Sequence, residues 1–189
     1  MATQFAAARR WTYEEFAQLP DDGNRYEVIA GELYVTPSPR TLHQVIVSRL
    51  NRLLGAFVEE HQLGEVIVGP IDVLFGEGDY MAPDLVFVRA ERHDVVSDRG
   101  LEEAPDLIIE VLSPGTAKRD RGIKRERYAH LGVPEYWIVD PVARMIEILR
   151  VSEGIAQPIE IAGASLTWQP VPGGPRLTLE LAHLFRDFR

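Results

Sequence analysis

The chain has 189 residues, 46% of them hydrophobic, which is enough for one core of ordinary size, so we expect a single domain over residues 1–189. Charged residues make up 26% and give a formal net charge of −9, far from the basic balance of proteins that coat nucleic acid non-specifically. Cysteine is absent, which excludes a disulfide framework, a thiolate metal site and a cysteine nucleophile. The sequence has neither a signal-peptide pattern nor an apolar run of membrane-span length, so we expect a cytoplasmic protein without membrane contact.

The first part of the chain predicts a short helix, a hairpin and a longer helix. Thr12 and Glu15 have the spacing of a capping box, so a helix is predicted to begin there. Tyr26–Ile29 and Glu32–Val35 flank a two-residue connection that contains glycine, which predicts a β-hairpin. Residues 42–58 place their apolar side chains within one arc at ~100° per residue, which predicts an amphipathic helix.

The remainder of the chain predicts strands with one further helix between them. Short apolar runs bounded by Gly and Pro are, in order, Val66–Val68, Ile71–Phe75, Leu85–Val88 and Leu107–Leu112. A second helix is predicted over residues 118–131, and the strand Glu135–Val139 then turns into a partner strand, Arg144–Leu149. This order predicts an α/β (α+β) fold.

Glu110 is the one polar residue inside the apolar run Leu107–Leu112. An ionised carboxylate buried there costs several kcal/mol unless a cation or strong donors compensate it. Side chains alternate along a strand, so Glu110 shares a packed face with Ile108 and Leu112. Two interpretations follow: a glutamate at the fraying end of the strand, or a metal ligand.

Asp84 raises the same question at the start of the run Leu85–Val88, where it lies on the face of Val86 and Val88. Pro-Asp is also a common turn dipeptide, so this motif by itself is compatible with a simple turn. Together with Glu110 at the end of another strand, Asp84 makes a candidate pair of oxygen ligands for a hard cation such as Mg²⁺ or Mn²⁺.

Lys124 falls in the core-facing arc of the second predicted helix, together with Asp120 and Tyr128. Its side chain can extend along its stem to solvent, or direct its ammonium at carboxylates on the sheet below. The stretch of residues 118–127 is dense in Lys and Arg, which indicates either a local site for phosphates or a solvated helix face. Asp120 can pair with one of these cations.

Four motifs together carry a family resemblance. They are Pro83-Asp84, Glu110-Val-Leu-Ser-Pro114, Asp120-x₃-Lys124-x₃-Tyr128 and Gly132-Val-Pro-Glu-Tyr-Trp-Ile-Val-Asp-Pro141. The combination resembles the Uma-two family of restriction-endonuclease-like proteins, within the PD-(D/E)XK nuclease superfamily, and the resemblance extends over nearly the whole chain. It implies a restriction-endonuclease-like core, a mixed β-sheet flanked by helices, with an N-terminal helix and β-hairpin.

The resemblance also implies a metal site, with Mg²⁺ or Mn²⁺ held by Asp84, Glu110 and the carbonyl of Val111. The superfamily's lysine would stand at position 112, where this chain has leucine. In some members the lysine comes from the following helix, so Lys124 is the inferred third catalytic residue beside Asp84 and Glu110.

Glu27 and His43 are weaker site residues. Glu27 lies in the family-like hairpin. It could be a second metal ligand or an orienting partner for the site, or it could have no role there. His43 falls in the apolar arc of its helix, where a satisfied core histidine is the simpler interpretation.

These residues favour a metal-dependent endonuclease that hydrolyses DNA phosphodiester bonds. Leu112 and the acidic net charge favour an alternative, a degraded nuclease fold that binds DNA or a partner protein without cutting. A glycosidase with Asp84 and Glu110 as its carboxylate pair is a third class, in which Lys124 has no evident role. A homodimer would allow both DNA strands to be cut, and the apolar strand pair Ile138–Leu149 is a candidate interface.

Overall fold

The computed structural model describes residues 10–36, 38–76, 78–152 and 155–187. Within these residues it contains five α-helices, which are α1 (Tyr13–Ala17), α2 (Thr41–Glu60), α3 (Ala117–Arg119), α4 (Arg125–His130) and α5 (Leu181–Leu184). A 3₁₀-helix covers Ala90–Val95, and a π-helical segment, Asp120–Lys124, joins α3 to α4.

The same residues form fourteen strands. They are β1 (Arg25–Ile29), β2 (Glu32–Thr36), β3 (Gly64–Val68), β4 (Val73–Gly76), β5 (Asp79–Met81), β6 (Leu85–Arg89), β7 (Val96–Ser97), β8 (Gly100–Leu101), β9 (Leu107–Val111), β10 (Glu135–Asp140), β11 (Met145–Ser152), β12 (Ile155–Ala162), β13 (Ser165–Trp168) and β14 (Leu177–Glu180).

Two six-stranded sheets organise these strands. The central sheet has the order β12-β11-β10-β9-β6-β3, in which β9 and β10 are parallel and the other neighbours are antiparallel. The N-terminal sheet has the order β2-β1-β5-β4-β8-β7, and β13 and β14 form a separate pair. The architecture is therefore the mixed α+β fold that the sequence predicts.

Alternation along the central strands gives the sheet two apolar faces. One face carries Leu107 and Ile109, which belong to the same core cluster as Leu50 and Leu54 of α2. The other face carries Ile108, which belongs to a second cluster with Tyr128 of α4 and residues of the N-terminal sheet. The central sheet is thus flanked by a helix on each face, and Glu110, one residue along from Ile109, is on the α4 face.

The early elements match their predictions closely. The Thr12 hydroxyl accepts a hydrogen bond from the Glu15 N–H at 3.3 Å, and the Thr12 N–H donates to the Glu15 carboxylate at 3.0 Å, which confirms the capping box. The predicted hairpin is present as β1 and β2, with positive φ at both turn residues, Ala30 (53°) and Gly31 (87°), as a two-residue hairpin turn requires.

The helix predicted over residues 118–131 is not one continuous α-helix. It consists of α3, the π-helical segment and α4, with Gly132 following at φ 84°. A tertiary contact stabilises the interruption, because the Tyr136 hydroxyl donates a hydrogen bond of 3.1 Å to the Asp120 carbonyl. Helical periodicity alone carries no information on such a contact.

The strand pair Ile138–Leu149 does not offer the dimer surface considered from the sequence. Strand β12 covers the edge of β11, and Ile138 and Leu149 are only 1% and 0% exposed. The apolar character of these strands reflects burial inside the central sheet. Among the described helices, none combines the length and the hydropathy that a membrane span requires.

Candidate active site

Asp84 and Glu110 are brought together by the pairing of β6 with β9. In this antiparallel pair Leu85 lies opposite Ile109, so Asp84, which immediately precedes β6, comes next to Glu110. Both carboxylates are buried, at 3% and 4% exposure. The prediction that each carboxylate lies on a packed strand face is confirmed, since Val86, Val88, Ile108 and Leu112 belong to one core cluster.

Both oxygens of Asp84 are engaged. Oδ1 accepts a hydrogen bond from Nη1 of Arg25 at 3.0 Å, while Oδ2 lies 2.9 Å from Nε2 of His43 and accepts the Val111 N–H at 2.9 Å. Burial opposes ionisation of Asp84, but the hydrogen bond and charge of His43, the Val111 N–H and the charge of Arg25 outweigh it and hold its pKa below the usual value. Asp84 is thus a stabilised carboxylate.

Lys124 lies at the centre of three carboxylates. Its Nζ is 2.7 Å from Oε1 of Glu110, 2.7 Å from Oε1 of Glu27 and 3.9 Å from Oδ1 of Asp120. Burial works against the charge of the ammonium, but these three carboxylates outweigh that effect and raise the lysine pKa. Lys124 therefore directs its ammonium at the sheet, as the second of its two sequence interpretations predicts.

Glu110 has a different balance of effects. Its Oε1 accepts hydrogen bonds from Lys124 at 2.7 Å and from the Tyr128 hydroxyl at 2.9 Å. Burial raises the pKa of Glu110 to about 8, and the negative charges of Asp120, Asp84 and Glu27 add to this effect. The positive charge of Lys124 opposes it. An added cation close to Glu110 would therefore favour its ionised form.

Asp120 is the least satisfied group of the site. The residue is 1% exposed, and neither carboxylate oxygen has a hydrogen-bond partner among the described residues. Burial, and to a smaller extent the charge of Glu27, raises the pKa of Asp120 against the lowering effects of Lys124, the nearby Thr116 hydroxyl and Arg119. Lys124, at 3.9 Å, offsets the charge of Asp120 without a hydrogen bond, so a proton or a further cation would stabilise this carboxylate.

These groups line one cavity of about 200 Å³. Glu27, His43, Asp84, Glu110, Asp120 and Lys124 all contribute to its wall. Tyr128 is behind Glu110, and Leu112 is packed in the core cluster of the α4 face. Every side chain predicted from the sequence as a site residue therefore lines or borders the cavity. Val111 contacts the site through its backbone N–H, and its role as a carbonyl ligand stays a prediction.

Three arginines line the cavity: Arg25 and Arg40, which no sequence pattern indicated, and Arg119, which was predicted only as part of the basic stretch of residues 118–127. Arg119 lies 3.7 Å from Oε2 of Glu27, and its Nη2 donates to the Thr36 hydroxyl. Each of these arginines stands in the sequence where a solvent-exposed polar residue is expected, so the pattern of apolar and polar residues could not identify it as a site residue. Only the tertiary arrangement shows that they face the carboxylates.

Most of the basic stretch of residues 118–127 is already ion-paired. Arg121 lies 2.9 Å from Asp140, and Arg125 lies 3.9 Å from Glu147. Arg127 forms a two-point ion pair with the buried Asp79. Neither interpretation of this stretch, a site for phosphates or a solvated helix face, describes these three arginines, because they pair with the protein's own carboxylates. Among the arginines of the stretch, only Arg119 lines the cavity.

The carboxylates of the cavity match a divalent cation in ligand type and charge, but not in spacing as they stand. Four carboxylates of the cavity wall are buried, and the only equally buried cation beside them is Lys124, as judged over the residues that the structure describes. No described group of three or more His, Cys, Asp or Glu residues is spaced to hold a metal. An ion bound by Asp84 and Glu110 would therefore compete with the contacts of Arg25 and His43 to Asp84.

The fold and this arrangement define a restriction-endonuclease-like protein. A solved structure, "Crystal structure of a putative nuclease belonging to DUF820 from Anabaena variabilis ATCC 29413", matches with a TM-score of 0.76 and 22% identity over 93% of this chain and 97% of that one. At this identity the likeness concerns the fold.

The chain belongs to the Uma2 family, described as "Putative restriction endonuclease", whose family model matches residues 13–182. The "Uncharacterized protein slr1290" of Synechocystis sp. (strain ATCC 27184 / PCC 6803 / Kazusa) is 31% identical over 121 residues, which cover 62% of this chain and 61% of that protein. The match thus spans about three fifths of that relative.

Proposed function

We propose that this protein is a divalent-metal-dependent endonuclease that hydrolyses DNA phosphodiester bonds. The observation that carries the proposal is the Lys124 ammonium, buried at 2.7 Å from Glu110 on the strand pair that also positions Asp84. The resemblance to the PD-(D/E)XK superfamily implies that an aspartate, a glutamate and a lysine act together in phosphodiester hydrolysis, and the family description supports the class of reaction.

Asp84 and Glu110 would hold Mg²⁺ or Mn²⁺, because carboxylate oxygens are the ligands that these hard cations prefer. The Val111 carbonyl is the proposed third protein ligand. The bound ion supplies Lewis-acid chemistry toward the phosphate oxygens. Glu110 lines the same cavity and would contribute a carboxylate oxygen, while its Oε1 also accepts hydrogen bonds from Lys124 and Tyr128.

Lys124 supplies a fixed positive charge to the reaction. Its contacts with Glu27 and Glu110 hold the ammonium in place before substrate arrives, so no reorganisation is needed when charge develops on the phosphate. Glu27 has a positioning role here, since it also accepts the Ala82 N–H at 3.1 Å and is thereby tied to the strand connection next to Asp84.

Single-turnover cleavage of supercoiled DNA at saturating protein tests the proposal. Wild-type protein should cut in Mg²⁺ or Mn²⁺ and not in a chelator. Glu110→Gln, which keeps the shape of the side chain, should cut about 100-fold more slowly, the scale expected for loss of one preorganised group. Arg125→Ala is the control, because Arg125 is half-buried beside Glu147 outside the cavity, and should retain the cleavage rate.

The alternative function, binding without hydrolysis, makes a different prediction for the same assay. If wild-type protein binds DNA but cuts no DNA form with any divalent ion, the proposed activity is wrong and the binding-only function takes its place.

A further inference from the structure

The central sheet ends in a strand with an open edge. Strand β3 is the last strand in the order and pairs with β6 alone among the described strands. On the β6 side, the Gly69 N–H that follows β3 donates to the Asp84 carbonyl at 2.8 Å. Because backbone groups alternate in direction along an antiparallel strand, Gly64, Val66 and Val68 direct their N–H and C=O groups to the outer edge. Such an edge is a template for a further strand.

The two ends of β3 differ in shape on the face that packs against α2. Val66 packs on this face, and residues two apart share a face, so Val68 also projects there, where it is 44% exposed. At the other end of the strand a groove of about 560 Å³ lies between β3 and α2, lined in part by Gly64, Gly55 and Val58. The strand therefore has an apolar projection at one end and an open groove at the other.

Antiparallel pairing of β3 with the β3 of a second copy brings the projection of each copy to the groove of the other. With the twofold axis at Val66, the two Val66 residues exchange their N–H···O=C bonds, and Val68 of each copy lies opposite Gly64 of the other. Gly64 has no side chain, so Val68 can enter the groove beside it. The symmetry makes this contact twice.

The charges beside the groove are self-complementary. Arg52 and Glu59 are exposed residues of α2 that line the groove, and neither forms an ion pair with a described residue. They lie on either side of Gly55, which lines the same groove as Val66. A twofold axis at Val66 therefore directs Arg52 of each copy toward Glu59 of the other. This complementarity favours a second copy of the chain as the partner.

We propose that the protein forms a homodimer through β3, in which the two central sheets join into one continuous sheet. Each copy contributes a five-residue strand and one side of a helix, which is a small interface, so the dissociation constant should be on the order of micromolar. Asp84 lies next to the Val68 end of β3, so the two cavities lie at opposite ends of the joined sheet. The dimer is independent of the proposed cleavage activity.

Sedimentation equilibrium of the full chain tests the dimer. Wild-type protein should pass from monomer to dimer between about 1 and about 500 µM. Val68→Asp should weaken the dimer at least about tenfold, because its carboxylate would enter the groove beside Glu59 of the second copy. Ile161→Asp is the matched control, since Ile161 is 64% exposed on β12, the opposite edge strand of the same sheet. Its dimer should stay within about twofold of wild type. Monomeric wild-type protein at every concentration, or equal losses in the two variants, would overturn the proposal.

Charge reversal tests the register without changing a buried residue. Arg52→Glu and Glu59→Arg alter exposed positions of α2, and each variant alone should dimerise at least about tenfold more weakly, because like charges would face each other twice. An equimolar mixture of the two variants should form a heterodimer within about threefold of the wild-type affinity, since every facing pair is again of opposite charge. A mixture that associates no better than the separate variants would overturn the proposed interface.

Discussion

Lys124 is the residue on which the charge balance of the cavity depends. Its ammonium contacts Glu27 and Glu110 at 2.7 Å and approaches Asp120 at 3.9 Å. Removing one member of a buried ion pair leaves the other charges uncompensated, which destabilises a fold by about 3 to 5 kcal/mol. Substitution of Lys124 therefore affects stability as well as catalysis, so the loss of activity in such a variant requires a stability control.

We predict that Lys124→Met lowers the free energy of unfolding by about 3 kcal/mol or more at about pH 8.5, with a smaller deficit at about pH 6. The sign follows from protonation, because without the ammonium the pKa values of the surrounding carboxyls rise further, and at lower pH these groups become neutral. Urea denaturation of both proteins at the two pH values measures the deficit. A deficit that is independent of pH would mean that Lys124 stabilises the fold through packing alone.

Glu110 should make metal binding depend on pH. Burial and neighbouring carboxylates raise its pKa to about 8, so below this pH the metal must displace a proton from it. Mn²⁺ affinity is expected to rise by about tenfold per pH unit up to about pH 8 and then to level off. Calorimetry over this range measures the slope, and Glu110→Gln should bind weakly without this dependence. An affinity that does not change between about pH 6 and about pH 8 would contradict the assignment of Glu110 as a ligand.

At the residue scale, the sequence predicted those site residues that violate the pattern of burial. Glu110 interrupts an apolar strand and Lys124 interrupts an apolar helix arc, so each requires a partner wherever the chain folds. Arg25 and Arg119 violate no such pattern. Their contacts with Asp84 and Glu27 join residues far apart in the chain, and only the folded structure shows them.

At the scale of elements, α4 is fixed to the N-terminal sheet by the ion pair of Arg127 with Asp79. Asp79 is 3% exposed and also accepts the Ala30 N–H at 2.8 Å, at the turn between β1 and β2. Arg127 follows Lys124 by one turn of helix. The ion pair therefore helps to hold the ammonium of Lys124 against the central sheet.

We predict that Arg127→Ala lowers the free energy of unfolding by about 2 to 4 kcal/mol, because it leaves the buried Asp79 carboxylate without its charged partner. Arg121→Ala is the matched control, since its ion pair with Asp140 is more exposed, and should change stability by less than about 1 kcal/mol. Urea denaturation monitored by tryptophan fluorescence measures both. Similar small effects in the two variants would show that the buried pair does not anchor α4.

The elements themselves were predictable to different degrees. The capping box and the glycine-containing hairpin turn are local, so their residues determine them directly. The π-helical segment Asp120–Lys124 was not predictable in this way, since the Tyr136 hydroxyl that bonds the Asp120 carbonyl comes from a strand beyond the helix. A continuous helical pattern in the sequence thus concealed an interruption inside the site.

At the scale of the whole molecule, the cavity exists because two sheets and a long helix meet at one place. Strand β1 contributes Arg25 and Glu27, α2 contributes His43, and β6 and β9 of the central sheet place Asp84 and Glu110 together. The family resemblance implied the mixed sheet and its flanking helices, and the structure confirms them. The sequence could not show that the N-terminal hairpin packs against the α4 face and completes the cavity, because that depends on long-range packing.

The central claim is that Asp84 and Glu110 hold a divalent ion within this cavity. A crystal of the wild-type protein soaked in Mn²⁺, with anomalous diffraction recorded at the manganese edge, tests it most directly. We predict an anomalous peak at about 2.1 Å from carboxylate oxygens of both Asp84 and Glu110, with Arg25 or His43 displaced from Asp84. The absence of a peak in the cavity at saturating Mn²⁺, or a peak that touches neither carboxylate, would contradict the account.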